Sequence, residues 1–280
     1  MGSIPVLHSF GVLMFALSGL DIFTSINLTF TAVSTGGFMP SSMFSFTSIQ
    51  KLVFIFLMLV GATSFALHLR IGNGDWRAIL RNTEFKMMML LVVLFSSFIV
   101  LTTKDGPIDA MFDVTAAISG AGFSIRDMSV FSDLAKYLLV LLMVSGACSG
   151  STTGALKLWR MFAVLKTIGN NIKSVFLPKG AVQVVKINGK ALTREQIIDS
   201  GNYIFLYMFI LFAAAGMVMT QGIGVIDSVF VTASAMGNVG LSTVNIAVIP
   251  NVVKNILVVC MYLGRVEILP SLVMLKYIRG

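Results

Sequence analysis

The chain has 280 residues, of which 56% are hydrophobic and only 11% are charged, with a formal net charge of +8. Soluble domains carry about 25% charged residues, so this composition excludes an ordinary soluble domain and indicates an integral membrane protein. Both cysteines, Cys148 and Cys260, lie inside apolar runs, so the sequence predicts neither a disulfide framework nor a metal cluster.

Six stretches approach the roughly 20 apolar residues that a helix needs to cross a bilayer. They are 4–20, 49–69, 85–103, 134–165, 202–221 and 251–278. Because the first begins almost at Met1 with no Lys or Arg before it, we expect the chain to lack part of a natural N-terminal region.

A shorter apolar segment lies inside each consecutive pair of these stretches, and it is too short to cross as a helix. The three short segments are 22–34, 109–119 and 227–237. Each leads into small residues that include glycine, which predicts a re-entrant half-helix followed by a loop. The predicted fold is therefore an all-α integral membrane protein with three span–half-helix–span repeats, at residues 1–82, 83–168 and 169–280.

The short segments resemble one another. The second, DAMFDVTAAISGAGF, runs from Asp109 to Phe123, and the third, DSVFVTASAMGNVGL, runs from Asp227 to Leu241 with the same spacing of Asp, Phe and Gly. The first, TSINLTFTAVSTGGF, ends in the same way at Phe38. An internal repeat of this kind indicates three copies of one supersecondary unit. Their first residues are predicted helix N-caps: Thr24, Asp109 and Asp227.

The distribution of positive charge predicts the orientation in the membrane. Most of the 20 Lys and Arg residues follow the second, fourth and sixth stretches: Arg70, Arg77, Arg81, Lys86, Lys157, Arg160, Lys166, Lys173, Lys179, Lys186, Lys190, Arg194, Lys276 and Arg279. The positive-inside rule places these on the cytoplasmic side and the half-helices at the outer face. The charge therefore reflects membrane topology, and we expect no nucleic-acid partner.

The longest connection, 166–200, is predicted to lie in the cytoplasm. Two strand-like runs flank Asn188-Gly189, which is a turn signal for a small hairpin. Thr193, followed three residues later by Gln196, predicts a capping box at the start of the next helix.

The loops after the half-helices carry the residue types that suit a cation. A dehydrated cation needs oxygen ligands, which potassium channels supply from backbone carbonyls, and glycine allows the backbone to turn consecutive carbonyls the same way. The half-helices also direct their partially negative C-terminal ends at this region. The predicted filter residues are Ser34, Thr35, Gly36, Gly37, Ser119, Gly120, Ala121, Gly122, Gly237, Asn238, Val239 and Gly240. At a single loop, a tight turn or a close helix contact would be the better explanation of the glycines.

The chain resembles the Trk/Ktr/HKT superfamily of potassium transporters over nearly its whole length. The resemblance includes SGACSGSTTGALKLWR from Ser145 to Arg160, LPKGAVQVVKINGKAL in the cytoplasmic loop, and YLGRVEILP from Tyr262 to Pro270. It implies four repeats around one pathway, of which this chain carries the second to the fourth. The key filter glycines that it implies are Gly37, Gly122 and Gly240.

The fourth stretch is interrupted by small and polar residues. Glycines at four-residue intervals are also typical of helix packing, but the hydroxyl groups would be wasted on lipid, which favours an unwound segment. The resemblance implies that this segment is a gate beneath the filter and that Arg265 contributes a positive barrier, although Arg265 with Glu267 also fits a structural ion pair. The predicted gate residues are Gly146, Ser149, Gly150, Ser151, Thr152, Thr153, Gly154 and Arg265.

Potassium uptake across the plasma membrane is the predicted function, with potassium bound only at the filter. The resemblance implies a homodimer with a cytoplasmic nucleotide-binding regulatory subunit, surrounded by membrane lipid. The alternatives are sodium or potassium–sodium transport through the same pore, and a non-conducting scaffold for the regulatory subunit. We find no nucleotide-binding loop, no nucleophile–base set and no metal-ligand spacing, so no enzyme activity and no cofactor are expected. His8 and His68 receive no role.

Overall fold

The computed structural model describes residues 3–39, 46–103, 106–176, 184–187 and 190–266, most of which are helical. The α-helices are α1 (Ser3–Leu17), α2 (Ile22–Val33), α3 (Ser48–Ala62), α4 (Phe65–Gly72), α5 (Arg77–Arg81), α6 (Thr83–Thr103), α7 (Pro107–Ser119), α8 (Asp133–Ser145), α9 (Leu158–Ser174), α10 (Arg194–Met219), α11 (Val225–Gly237) and α12 (Asn251–Val266). A short 3-10 helix covers Met128–Val130.

The helices repeat one order three times: a first helix, a short helix and a second helix. The three sets are α1–α2–α3, α6–α7–α8 and α10–α11–α12. Each short helix packs against both helices of its own set, and α7 and α11 also pack against the second helix of the preceding set. This arrangement confirms the predicted all-α class, whereas the domain limits at 82 and 168 remain predictions.

Among the described residues, the expectation of six complete spans stays a prediction. Only α6 and α10 are individually long and apolar enough to cross a membrane, and α3 with α4 could form a third span. The predicted span 49–69 is not one straight helix, because α3 and α4 meet at an angle of 102°. The predicted span 134–165 stops at Ser145 and resumes at Leu158. The last predicted span is described only as far as Val266, and Glu267 lies outside the described residues.

The bend between α3 and α4 is built by hydroxyl residues. Thr63 and Ser64 have extended backbone dihedrals, and the Thr63 hydroxyl donates to the Val60 carbonyl at 2.7 Å. Hydroxyl side chains that bond to nearby backbone offer the chain an alternative to helical hydrogen bonding. His68 lies 2.6 Å from the same hydroxyl through Nε2, so this histidine supports the bend.

The predicted N-caps of the short helices are wrong by three residues. The caps are Asp21, Gly106 and Gly224, so Thr24, Asp109 and Asp227 are each the third residue of their helix. Asp21 accepts a hydrogen bond from the Thr24 backbone, and hydrogen bonds with Thr24 hold the pKa of Asp21 below its ordinary value. The helices begin at Ile22, Pro107 and Val225, directly after the aspartate or glycine that ends the preceding loop, which accounts for the shift.

Asp109 and Asp227 instead join neighbouring sets. Lys51, the fourth residue of α3, contacts Asp109 at 2.5 Å, and Lys136, the fourth residue of α8, contacts Asp227 at 2.9 Å. Both pairs are partly buried, so solvent screens them less than it screens surface pairs. The two junctions between sets therefore use the same ionic contact.

The predicted hairpin between α9 and α10 is present in part. Strands β1 (Lys186–Ile187) and β2 (Lys190–Ala191) pair antiparallel, while the predicted turn Asn188-Gly189 lies outside the described residues. The capping box at the start of α10 is confirmed: the Thr193 hydroxyl accepts from the Gln196 backbone, and the Gln196 side chain accepts from the Thr193 backbone.

Candidate ion pathway

Three short backbone segments follow the C-terminal ends of the three short helices. We call residues 34–37 segment A, 119–122 segment B and 237–240 segment C. They contain the twelve residues predicted as a filter. The carbonyl ends of α2, α7 and α11 meet at these segments, and a helix C-terminus carries a partial negative charge. The electrostatics at this point favour a cation.

The three segments share one backbone pattern, in which two positive-φ residues are separated by one residue. The first such residue is Thr35 (φ 54°), Gly120 (68°) or Asn238 (53°). The second is Gly37 (φ 69°), Gly122 (68°) or Gly240 (101°). In an ordinary strand, successive carbonyls point to opposite sides. A residue with a positive φ angle between them turns neighbouring carbonyls toward the same side. Non-glycine residues rarely adopt positive φ, so its recurrence at equivalent positions indicates a common purpose.

The segments lie directly against one another in the order A, B, C. A Cβ atom built on Gly37 would lie 2.3 Å from the Ala121 carbonyl oxygen, and one built on Gly122 would lie 1.8 Å from the Val239 carbonyl oxygen. Both distances are far shorter than real Cβ contacts allow, so only glycine fits. The structure thus brings the residues predicted from three distant parts of the chain into one cluster.

Residues 146–157, which we call the interrupted segment, lie between α8 and α9 without helical structure. The prediction that Ser145 to Ala155 is not continuous helix is confirmed. Positive φ angles occur at Gly146, Gly150, Ala155 and Lys157. The Cys148 amide donates to the Ala62 carbonyl at 3.2 Å, and the Phe65 amide donates to the Gly150 carbonyl at 3.0 Å. The interrupted segment therefore pairs with the bend between α3 and α4.

The interrupted segment also touches all three glycine segments. Thr152 and Thr35 of segment A are joined by a 3.0 Å hydrogen bond between their hydroxyls. The nearest Thr153 atom would lie 3.7 Å from a Cβ on Gly120 of segment B. Gly154 approaches segment C so closely that an added Cβ would lie 2.5 Å from the Gly237 carbonyl oxygen. The interrupted segment therefore lies next to all three glycine segments.

Two cationic side chains hold the interrupted segment. Arg265 of α12 donates to the Thr152 carbonyl at 2.7 Å, and the Lys157 ammonium donates to the Thr153 hydroxyl at 3.0 Å. A cavity of about 360 Å³ lies here, lined by residues 151–155 together with Phe65, Lys157, Gly264 and Arg265. The positive charge of Arg265 therefore lies beside backbone that lines this cavity and also contacts the glycine segments.

Sequence reasoning missed a set of glycines on the second helices. Gly61 is the fourteenth residue of α3, and Gly264 is the fourteenth residue of α12. Added Cβ atoms there would lie 2.4 Å from the Val33 carbonyl oxygen and 1.8 Å from the Met236 carbonyl oxygen. These glycines let each second helix approach the end of the short helix before it. Their equal distance from the helix start was the signal in the sequence that could have revealed them.

Glu84 was also missed. It is the second residue of α6, and its carboxylate accepts a hydrogen bond from the Ser149 backbone amide at 2.5 Å. The side chain is half-buried and lies within electrostatic reach of Lys157. An acidic residue in the first turn of a helix is ordinary, so the sequence contained no signal for this long-range contact.

We expect Glu84→Ala to loosen the interrupted segment. A hydrogen bond to a charged group contributes about 1.5–3 kcal/mol, and 1.4 kcal/mol is a factor of ten in an opening equilibrium, so amide exchange around Ser149 should accelerate by about tenfold or more. Hydrogen-exchange mass spectrometry in lipid nanodiscs measures this. The matched control is Glu195→Ala, which removes an exposed carboxylate at the second position of α10. Equal exchange in both variants would show that Glu84 does not hold the segment.

Comparison with known proteins identifies the family. The profile described as TrkH, cation transport protein, matches residues 77–278. An uncharacterized cation transporter of Methanocaldococcus jannaschii is 31% identical over 267 residues, covering 94% of this chain and 56% of that protein. The Trk system potassium uptake protein TrkH of Halomonas elongata is 28% identical over 284 residues, covering 94% of this chain and 58% of that protein.

The fold agrees with a solved relative. The crystal structure of the potassium transporter TrkH from Vibrio parahaemolyticus superposes with a TM-score of 0.86 at 22% identity, covering 97% of this chain and 62% of that one. The chain spans a little over half the length of the relatives that it matches. The matched family is one of cation transport proteins, which agrees with the expectation that the chain is not an enzyme. With 31% identity over nearly its whole length and a profile match over most of it, this chain is an integral membrane protein of the TrkH family of cation transport proteins.

Proposed function

We propose that this chain forms most of a potassium-conducting pathway, with segments A, B and C as its filter and the interrupted segment as its gate. The observation that carries the proposal is the shared pattern of two positive-φ residues in three adjacent segments. Such a pattern supports rows of carbonyl oxygens that replace the water shell of potassium. Relatives that are named potassium uptake proteins support the choice of ion.

The gate role is supported by two contacts of the interrupted segment, which lines the cavity and also touches segments A, B and C. Its hydrogen bonds to Arg265 and Glu84 oppose spontaneous movement. A positive charge beside the pathway also raises the energy of a passing cation, since like charges repel. Opening then requires the segment to leave segment A, where Thr152 is bound to Thr35.

The three segments do not surround a pathway completely. Gly37 abuts segment B and Gly122 abuts segment C, whereas a Cβ on Gly240 would meet nothing within 4 Å among the described residues. We therefore expect enclosed conduction to require another protein segment beside Gly240. The lack of a described neighbour there favours a second candidate, in which the chain by itself is a non-conducting scaffold for a regulatory subunit.

Ion uptake distinguishes these candidates. The chain, and the longest natural polypeptide that contains it, would be produced in bacterial cells without potassium uptake systems, and radioactive rubidium uptake would be measured with sodium or potassium as competitor. Uptake that potassium blocks and sodium leaves unchanged supports the proposal. Equal competition by sodium supports sodium or mixed transport through the same pore, and correctly inserted protein without uptake supports the scaffold. The plasma membrane location, the outer position of the filter, the homodimer and the nucleotide-binding regulatory subunit remain predictions.

A further inference from the structure

A buried ion pair lies behind segment B. Asp113, in the middle of α7, is fully buried, and the Arg126 guanidinium donates a hydrogen bond to its carboxylate. Arg126 lies four residues after Gly122, and its guanidinium also stacks over the Phe131 ring at 4.8 Å. The hydroxyl of Ser124 donates to the Arg126 carbonyl. The chain leaving segment B is therefore tied back to the helix that leads into it.

The third set has apolar side chains at the two equivalent positions. At the spacing that aligns Gly122 with Gly240, Val231 replaces Asp113 and Val244 replaces Arg126. Val231 is buried, and Val244 packs against the same apolar cluster. The Ser242 hydroxyl donates to the Val244 carbonyl at 2.6 Å, which repeats the bond between Ser124 and Arg126. The chain leaving segment C is thus held at an equivalent point without charge.

This comparison separates two explanations of the ion pair. If the charges of Asp113 and Arg126 acted on the permeating ion, we would expect charged residues at the equivalent positions of the third set, where valines are found. A buried ion pair can often be replaced by well-packed apolar residues without loss, whereas removing one partner leaves an uncompensated charge. Arg126 keeps 23% of its side chain exposed while Asp113 keeps none, so an unpaired Asp113 is the more damaging state.

We infer that Asp113 and Arg126 are positioning residues that hold segment B in its filter conformation, and that their charges take no part in selecting the ion. The inference rests on the proposed function of segment B. It implies that the pair can be exchanged for an apolar pair as long as both members change together. Val is the natural choice at position 113, and Met keeps the unbranched length of Arg at position 126.

The test is a cycle of Asp113→Val, Arg126→Met and the double variant, with two readouts. Hydrogen exchange of residues 119–127 in nanodiscs reports whether segment B is held, independently of transport. Rubidium uptake per molecule, resolved into KM and maximal rate and measured against sodium competition, reports selection. We expect Arg126→Met to accelerate amide exchange and to weaken potassium selectivity, each by about tenfold. Asp113→Val should change both quantities by a smaller factor. The double variant should lie within about twofold of the parent in both readouts.

The outcomes separate this inference from the proposed function. A double variant with restored exchange but with the selectivity of Arg126→Met would show that a charge acts on the ion, and would overturn the inference. If the amides of segment B exchange as fast in the double variant as in Arg126→Met, apolar contact cannot hold the segment. This result would also overturn the inference. If the longest natural polypeptide that contains the chain is correctly inserted and transports no rubidium, the proposed function fails, while hydrogen exchange still decides whether the pair positions segment B.

Discussion

Replacing Gly122 with Ala is expected to reduce rubidium uptake and potassium selectivity by about tenfold or more, with little change in the amount of protein in the membrane. A Cβ at this position would lie 1.8 Å from the Val239 carbonyl oxygen, so segment B or segment C must move. Either movement displaces carbonyls that we assign to the ion. Because a factor of ten corresponds to only about 1.4 kcal/mol, a modest displacement is sufficient.

The control and a companion variant make this expectation specific. Gly216→Ala places the same methyl group on the exposed side of α10, where nothing lies within 4 Å, and should leave uptake unchanged. Gly240→Ala meets no neighbour but has a φ of 101°, so it tests backbone strain without a clash and should have a smaller effect than Gly122→Ala. Full selectivity in Gly122→Ala, measured by sodium competition, would contradict the filter role of segment B.

Replacing Arg265 with Ala is expected to raise rubidium uptake by about tenfold while the preference for potassium over sodium is kept. The substitution removes a positive charge next to the cavity, which lowers the energy of a cation there. It also removes the 2.7 Å hydrogen bond to the Thr152 carbonyl, so the interrupted segment is held less firmly. Both effects have the same sign, and neither acts on the glycine segments directly.

Lys254→Ala is the matched control for Arg265. Lys254 is a cation on the same helix, but it lies at the opposite end of α12, where its ammonium donates to the Ala247 carbonyl at 3.0 Å. Its removal should leave uptake within about twofold of the parent, because solvent screens charges beyond about 10 Å. If Arg265→Ala lowers uptake of both ions equally, Arg265 supports the fold and the assigned barrier is wrong.

The half-helices and the interrupted segment were predictable from local sequence patterns. The short lengths of 22–34, 109–119 and 227–237 agree with α2, α7 and α11 to within about two residues, because apolar length and a glycine-containing end are both properties of a continuous stretch. Contacts between distant residues were not predictable in this way. The interrupted segment forms hydrogen bonds with Ala62 and Phe65 on either side of the bend at Thr63, and hydrogen bonds between distant residues leave no mark on the apolar pattern.

The sequence by itself determined that this protein is an all-α membrane protein with three related units. Composition, segment length and internal repetition are all properties of the linear sequence and need no knowledge of tertiary contacts. It also identified the glycines of segments A, B and C by their repeated position. Only the tertiary structure decided which of those glycines are sterically obligatory and that Asp109 and Asp227 join neighbouring sets. It also decided that Glu84 accepts a hydrogen bond from the interrupted segment and that Asp113 pairs with Arg126. The physical reason is that a side chain far along the chain has no fixed spacing to its partner, so burial and contact exist only once the helices have packed.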